Sequence, residues 1–198
     1  MEKNAIYDRR SIRKYKTDTV SHEMIEEIVD AARMAPSAKN RQPWKFIVME
    51  GEAKEKFTSA MRAGLDREMK RITPLPKSGF GLPDAKNTLR IMEEVPVVIA
   101  VLNTNGKSPF LPVDNDARVS EICDSLSIGA AIQNMILRAQ EMGLGTLWIA
   151  NTCFAYEELT ACLGTEDQLI SAVALGYPDE APGMRPRKKM GEIMEFQE

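Results

Sequence analysis

The sequence predicts an α+β layer fold in a single domain that spans residues 1–198. About four short apolar runs typical of strands and about five longer runs typical of helices follow one another in mixed order. A chain of 198 residues can bury a substantial core, and the sequence contains no repeat, low-complexity tract or linker between domains. We therefore expect one layered domain that folds without disulfides.

The first half of the chain begins with a basic turn and continues with a capped helix. Residues 4–8 are predicted to form a short helix, and three arginines follow between residues 9 and 13. Ser21 is a typical N-cap for a helix that ends near Met34, because Pro36 disfavours helical backbone just before it. The next predicted elements are a strand at 46–49, a helix at 52–70, a loop rich in Pro and Gly at 73–84, and a helix at 84–93.

The second half is predicted to supply the remaining core strands and the longest helix. Its elements are a strand at 95–102, a loop at 103–113, a helix that leads into a strand within 122–151, a helix at 156–163 and a strand at 169–175. A basic cluster at 185–189 and an amphipathic tail at 190–198 follow. We expect the loops at 73–84 and 103–113 to be mobile and to lie on the substrate side of any binding site.

Residues 122–151 form the most apolar stretch of the sequence. No charged residue occurs between Asp124 and Arg138, so the predicted helix is apolar on more than one face. Gly143 ends the helix, and residues 146–149 read as a buried strand. A helix of this kind must be covered on all sides. A second copy of the chain is the favoured cover, and a core helix in a monomer is the alternative.

Composition and charge exclude several classes of function. With 26 Lys and Arg against 29 Asp and Glu, the net charge of −3 gives no overall attraction to nucleic acid or to an anionic membrane. The longest apolar run, residues 95–102, is too short to span a bilayer, and we expect a cytoplasmic protein. The three cysteines have no metal-binding spacing, and His22 is the only histidine, so we expect no metal site and no histidine-based catalysis.

Two basic clusters are candidates for an anion site. Arg9, Arg10 and Arg13 repel one another unless a negative group lies among them, and guanidinium groups bind phosphate through paired hydrogen bonds. Arg185 and Arg187 form a second cluster far along the chain. Both clusters could serve one phosphate site, although spacing alone leaves a solvated basic turn as the alternative.

Four segments in the same order resemble those of the nitroreductase family of flavoproteins. They are Arg9 to Arg13 (RRSIR), residues 35–44 (APSAKNRQPW), residues 143–149 (GLGTLWI), and residues 175–178 (LGYP) with Arg187 and Lys188. The resemblance covers essentially the whole chain. It implies a mixed, largely antiparallel central sheet flanked by helices, in an intertwined homodimer with flavin mononucleotide (FMN) at the interface. In that family the long apolar helix packs against its twin, and the tail, here 190–198, reaches the partner.

The same resemblance implies a role for each candidate residue. Arg9 and Arg187, supported by Arg185, would bind the phosphate, and Arg10 and Ser11 would lie on the phosphate side or at the flavin edge. The other implied flavin contacts are Arg13 at the pyrimidine end, Asn87 by a hydrogen bond, Pro36, Ser37 and Asn40 from the other subunit, and the backbone near Trp148, Ala150 and Asn151. The identity of these last side chains is expected to matter little. Trp44 and Trp148 are alternatively core aromatics.

The resemblance also implies the reaction. NADH or NADPH would pass a hydride to flavin N5, leave, and be replaced by a small-molecule acceptor such as a nitroaromatic or a quinone, in a ping-pong sequence. Because flavin N5 carries the chemistry, no side chain is expected to be catalytic. Two alternatives stay open: a flavoprotein of the same fold that dehalogenates substrates or fragments flavin, and a non-redox phosphate- or nucleotide-binding module.

Overall fold

The computed structural model of the protein describes residues 4–70 and 78–197. Its α-helices are α1 (Ala5–Asp8), α2 (His22–Arg33), α3 (Gly51–Met69), α4 (Leu82–Glu94), α5 (Asn115–Glu141) and α6 (Tyr156–Leu163). Its strands are β1 (Trp44–Met49), β2 (Val97–Asn103), β3 (Gly145–Ile149) and β4 (Gln168–Gly176). Short 3-10 turns lie at Ala38–Asn40, Ser78–Phe80, Asn151–Ala155 and Met190–Glu192.

The four strands form one sheet in the order β1-β2-β4-β3, and all neighbouring strands are antiparallel. One isolated parallel bridge joins Ser11 to Thr146 at the β3 edge. The predicted α+β class with a largely antiparallel sheet is therefore confirmed. Since β2 lies inside the sheet, all its residues from Val97 to Asn103 are buried, and its side chains alternate between the two faces.

Each face of the sheet packs against its own group of helices. One core contains side chains of α3, α4 and α6, and receives Val98, Ala100 and Leu102 from β2. The other core contains side chains of α2 and α5, and receives Val97, Ile99 and Val101. The domain therefore has three layers, with the sheet in the middle.

Helix α5 is longer than the sequence pattern indicated and is open on one face. It begins at Asn115, where the Asp114 side chain accepts a hydrogen bond from the Ala117 N–H at 2.8 Å. Within the chain the helix is not covered on all sides. Its inner face is fully buried, but Val119, Ile122 and Leu126 are 60%, 53% and 71% exposed. We call these three side chains the apolar stripe of α5.

The remaining predicted elements agree with the structure in type and nearly in their bounds. Ser21 caps α2, accepting a hydrogen bond from the Met24 N–H at 3.3 Å. Helix α4 begins at Leu82, two residues before its predicted start, and residues 78–80 of the predicted loop at 73–84 form a 3-10 turn. Residues 73–77 of that loop lie outside the described part of the chain, and its mobility stays a prediction. Within the described residues, no helix is long and apolar enough to cross a membrane.

Candidate functional site

A cavity of about 390 Å³ lies between the end of β3, α4 and the basic N-terminal segment. Five of the residues singled out from the sequence line it together: Arg13, Asn87, Trp148, Ala150 and Asn151. Segments that are distant in sequence therefore meet at one place. The cavity is the candidate site of the protein.

Strand β3 brings the arginine segment to this cavity. Gly143 adopts a left-handed backbone with φ 78° after α5, and the chain turns directly into β3. Gly145 then lets the N-terminal segment approach closely, since a Cβ at this position would lie only 2.8 Å from Cγ1 of Ile12. The Ile12 N–H donates to the Thr146 carbonyl at 2.9 Å. These contacts fix the segment that carries Arg13 along the free edge of the sheet.

The chain after β4 holds the same segment from its other side. Lys16 N–H donates to the Tyr177 carbonyl at 2.9 Å, and the Glu180 carboxylate accepts from the backbone N–H groups of Arg13 and Lys14. Tyr15 lies between these contacts, and burial, with a further contribution from Glu180, raises the pKa of its phenol far above the ordinary value. The Tyr15 hydroxyl therefore stays protonated and donates to the Ile12 carbonyl at 2.8 Å.

The two basic clusters of the sequence lie within electrostatic range of each other. Burial, followed by the neighbouring charges of Arg187 and Arg10, lowers the pKa of the Arg9 guanidinium. Arg187 donates to the carbonyls of Arg185 and Pro186 at 3.2 and 3.3 Å and is otherwise exposed. Positive charge from both ends of the chain is therefore concentrated in one region, which favours an anion there.

Arg10 has a different environment. Its guanidinium donates to the carbonyls of Tyr7 and Arg9 at 2.6 and 2.8 Å. It lines a separate hollow of about 280 Å³, together with Asp8 and Glu180. Arg10 therefore belongs to the same basic turn as Arg9, but its side chain is not in the wall of the candidate cavity.

The Asn151 side chain is held in a defined orientation. Its Nδ2 donates to Thr88 Oγ1 at 2.9 Å and to Asp84 Oδ2 at 3.2 Å. Its Oδ1 is buried and has no hydrogen-bond partner within the described residues. The fixed amide therefore presents one unpaired acceptor, which the expected backbone contacts do not use. The neighbouring Asn87 accepts from Arg90 Nη2 at 3.1 Å.

The two tryptophans have different surroundings. Trp44 packs against the core formed by α2 and α5, which favours the core alternative for that residue. Trp148 lines the cavity at its strand position, but its indole lies on the α5 side of the sheet, because its neighbours Leu147 and Ile149 pack in the opposite core. Its ring reaches within 3.8 Å of the Cβ position of Gly129, its Nε1 donates to Ser171 Oγ at 3.2 Å, and the residue is 42% exposed. Trp148 is therefore expected to serve the cavity through its backbone.

The segment with Pro36, Ser37 and Asn40 does not line the candidate cavity in the same chain. It lies beside α5, where the Ala38 N–H donates to Ser127 Oγ at 3.2 Å. Next to it, Arg41 binds the buried Asp124 with Nη2 to Oδ1 at 2.6 Å. The predicted contacts of this segment are with a flavin of the other subunit, and they stay a prediction.

Sequence reasoning missed several residues of these sites: Arg41, Asp84, Thr88, Asp124 and Cys153. Asp124 offered one usable signal, since an isolated carboxylate at the start of an apolar helical run needs a partner. The cysteines are free, and Cys153 is half-buried in the cavity wall. Among residues 4–70 and 78–197, no group of three or more His, Cys, Asp or Glu side chains is placed to hold a metal ion.

Comparison with known proteins places the chain among similar folds and sequences. The sequence profile of the Nitroreductase family matches residues 6–177. A protein of Archaeoglobus fulgidus, provisionally named NADH dehydrogenase/NAD(P)H nitroreductase, is 32% identical over 182 residues, which cover 88% of this chain and 84% of that protein.

Two solved structures have the same architecture. A provisionally named nitroreductase from Desulfovibrio desulfuricans, in complex with FMN, is 26% identical with a TM-score of 0.71, over 98% of this chain and 95% of that one. An FMN-dependent nitroreductase from Mycobacterium smegmatis, in complex with NADPH, has a TM-score of 0.76 over 98% and 96% of the two chains. At 20% identity, it shows the fold alone. Together with the family profile, which covers most of the sequence, these likenesses show that the chain belongs to the nitroreductase family.

Proposed function

We propose that the protein is an FMN-dependent oxidoreductase that takes a hydride from NADH or NADPH and reduces nitroaromatic or quinone-type acceptors. The observation that carries this proposal is the cavity where Arg13, Asn87 and Asn151 meet, next to a basic turn whose Arg9 lies within electrostatic range of Arg187. The names of the similar proteins agree with it, since they give NAD(P)H nitroreductase activity and complexes with FMN and NADPH.

The residues of the cavity suit an FMN molecule. The buried, unpaired Asn151 Oδ1 matches an N–H or O–H donor, and Arg13 adds a cation in the wall of the cavity. Next to the cavity, the positive charge of Arg9 and Arg187 matches a phosphate. The chain therefore offers charge and an unpaired acceptor for a phosphorylated ring cofactor.

A second copy of the chain would complete the site. The apolar stripe of α5 is exposed, and the tail carries further exposed apolar side chains at Met190, Ile193, Met194 and Phe196. In the proposed homodimer these surfaces are buried. Pro36, Ser37 and Asn40 then approach the flavin of the other subunit, which accounts for their distance from the cavity of their own chain.

The roles of the protein side chains are to bind and to orient. FMN, when bound, supplies hydride acceptance and donation at N5. Arg9 and Arg187 hold the phosphate, while Arg13 stabilises negative charge at the ring end. Asp84 and Thr88 fix the Asn151 amide. No side chain has to transfer a proton in this scheme, and the reductant and the acceptor use one cavity in turn, which gives ping-pong kinetics.

A spectroscopic experiment tests the proposal. The purified protein is expected to be yellow or to bind added FMN, and stopped-flow mixing with NADH or NADPH under anaerobic conditions should bleach the flavin band. A panel of nitroaromatics and quinones should then restore the band. A folded protein that refuses FMN contradicts the proposal. A flavin that neither nucleotide reduces contradicts the NAD(P)H-dependent reaction and favours a different flavin reaction.

A further inference from the structure

The loop at residues 37–42 has an unusual backbone. Lys39, Asn40 and Gln42 all adopt left-handed conformations, with φ angles of 53°, 54° and 48°. Side chains with a Cβ rarely occupy this region, and asparagine is the most tolerant of the three. A loop with three such residues in four positions persists only if surrounding contacts hold it in place.

Helix α5 supplies the contacts that hold this loop. Ser127 Oγ accepts from the Ala38 N–H at 3.2 Å and donates to the Cys123 carbonyl at 2.7 Å. Three residues away, Asp124 Oδ1 accepts from Arg41 Nη2 at 2.6 Å and from Arg41 Nε at 3.0 Å. Contacts from α5 therefore fix the loop on both sides of Lys39 and Asn40.

The ion pair between Arg41 and Asp124 has a buried carboxylate. The Asp124 side chain is only 3% exposed, so its charge depends on Arg41 and on Asn105, whose Nδ2 lies 3.4 Å from Oδ2. Burying a carboxylate without a partner is costly, and the pair therefore has one strongly favoured arrangement. Inside the loop, Ser37 Oγ accepts from the Gln42 N–H at 3.0 Å and closes the turn.

The same helix carries the apolar stripe of Val119, Ile122 and Leu126, which lies on the opposite face from the buried Asp124 and Ser127. A partner subunit that docks on this stripe would therefore contact the same helix that holds the loop. This geometry links dimer contact and loop position through one rigid element.

We propose that Asp124, acting through Arg41, is a positioning residue that holds loop 37–42 in its strained conformation, so that Ser37 and Asn40 meet the flavin of the partner subunit. This inference rests on the proposed function, because it assigns the loop a flavin contact across the dimer. Asp124 itself touches no flavin. Its effect on the cofactor passes through the backbone of the loop.

The test uses the full-length protein, four variants of the ion pair and one control variant. Arg41→Gln and Asp124→Asn each remove one charge, and the double variant removes both charges but keeps two groups that can hydrogen-bond. Each single variant leaves one charged partner without its counter-charge, which favours misfolding. The double variant leaves no unpaired charge, so the test does not depend on the folding of a single variant. Arg41→Lys keeps the charge without the planar guanidinium fork. Arg62→Gln is the matched control. Arg62 of α3 pairs with Glu93 of α4, and this ion pair lies away from the loop.

Three quantities are measured for each variant: the FMN dissociation constant of the apo dimer, the dimer dissociation constant, and amide hydrogen exchange in residues 37–43. We expect the double variant to weaken FMN binding about tenfold and to speed amide exchange in the loop, while dimer affinity stays within about twofold of the control. Arg41→Lys should fall between the wild type and Arg41→Gln.

These measurements distinguish a failure of the positioning role of Asp124 from a failure of the proposed function. If the double variant binds FMN like Arg62→Gln, or loses FMN only in proportion to lost dimer, the positioning role of Asp124 is overturned. If the wild-type protein itself does not bind FMN, the proposed function fails first and this inference fails with it. Faster loop exchange together with weaker FMN binding in an intact dimer supports the proposal.

Discussion

Arg187 lies within electrostatic range of Arg9 although the two residues come from opposite ends of the sequence, and burial together with the Arg187 charge lowers the pKa of Arg9. Glu180 holds the backbone N–H groups of Arg13 and Lys14, so the chain that leads to Arg187 passes beside the basic turn. Two like charges in one region repel each other. A bound phosphate would offset that repulsion.

Replacing Arg187 with alanine tests this relationship. Arg187→Ala removes a charged donor from the proposed phosphate site, so FMN affinity should fall by about 1.5–3 kcal/mol, the usual contribution of a charge-assisted hydrogen bond. Titration of the apo protein with FMN, followed by fluorescence, measures the change. Arg33→Ala is the control, because Arg33 pairs only with Asp30 on the surface of α2. Equal affinity in the two variants would remove Arg187 from the site.

The apolar stripe of α5 predicts a dimer that can be disrupted without damage to the core. Leu126→Asp places a charge on a side chain that is 71% exposed in the single chain, so the monomer should fold while the dimer dissociates. FMN should be lost together with the dimer. Sedimentation and flavin absorbance measure both, and Met69→Asp, on an exposed side chain of α3, is the control. A monomer that keeps FMN tightly would show that the site is complete within one chain.

Position 132 would be the wrong choice for this experiment. Ile132 lies near the middle of the apolar part of α5. In the structure it is fully buried against α2 and the sheet. A charge there would unfold the chain rather than separate subunits.

The unpaired Asn151 Oδ1 predicts a side-chain contribution to cofactor binding. Asn151→Ala removes the acceptor, and FMN affinity should weaken by about 1–3 kcal/mol if a ligand donor normally reaches it. Asn134→Ala is the control, since it removes an asparagine amide that donates to the Ala31 carbonyl at 3.2 Å, away from the cavity. Isothermal titration with FMN gives the comparison. If both variants bind FMN alike, the backbone alone serves this part of the cavity.

Cys153 provides a pH-dependent probe of the cavity. Burial raises the pKa of its thiol, so the neutral form persists to higher pH and the reactive thiolate is scarce near neutrality. Alkylation by iodoacetamide should therefore be slow at neutral pH and should accelerate as the pH rises through the elevated pKa. Bound FMN should slow it further. Peptide mass spectrometry can follow Cys153 beside the exposed Cys162, and equal protection of both cysteines would contradict a ligand in the cavity.

Local patterns predicted most of the fold. The Ser21 cap, the end of α2 before Pro36 and the buried strand β2 are each encoded in a few neighbouring residues, and each appears close to where it is expected. The first turns of α5 were not predicted, because Asn115–Glu121 is mostly polar and exposed in the single chain. Only the Asp114 cap marked that beginning.

The site was less accessible to sequence reasoning because its contacts join distant segments. The basic residues could be named, but nothing in their spacing shows that Arg9 lies within electrostatic range of Arg187. The left-handed backbone at Lys39 and Gln42 could not be predicted from the sequence, because neither residue is a glycine. The partner of Asp124, likewise, depends on how the loop folds back onto α5, which is a property of the packed structure.

The edge of the sheet at β3 has a consequence for the solubility of the protein. Edge strands expose unpaired backbone groups that can recruit strands of other molecules. Here Ser11 and Ile12 cover part of that edge through the bridge to Thr146. The segment that carries Arg9 and Arg13 thus also protects the protein against aggregation. A shortened chain without this segment would expose β3, and its loss of function would come with precipitation rather than with an empty but soluble site.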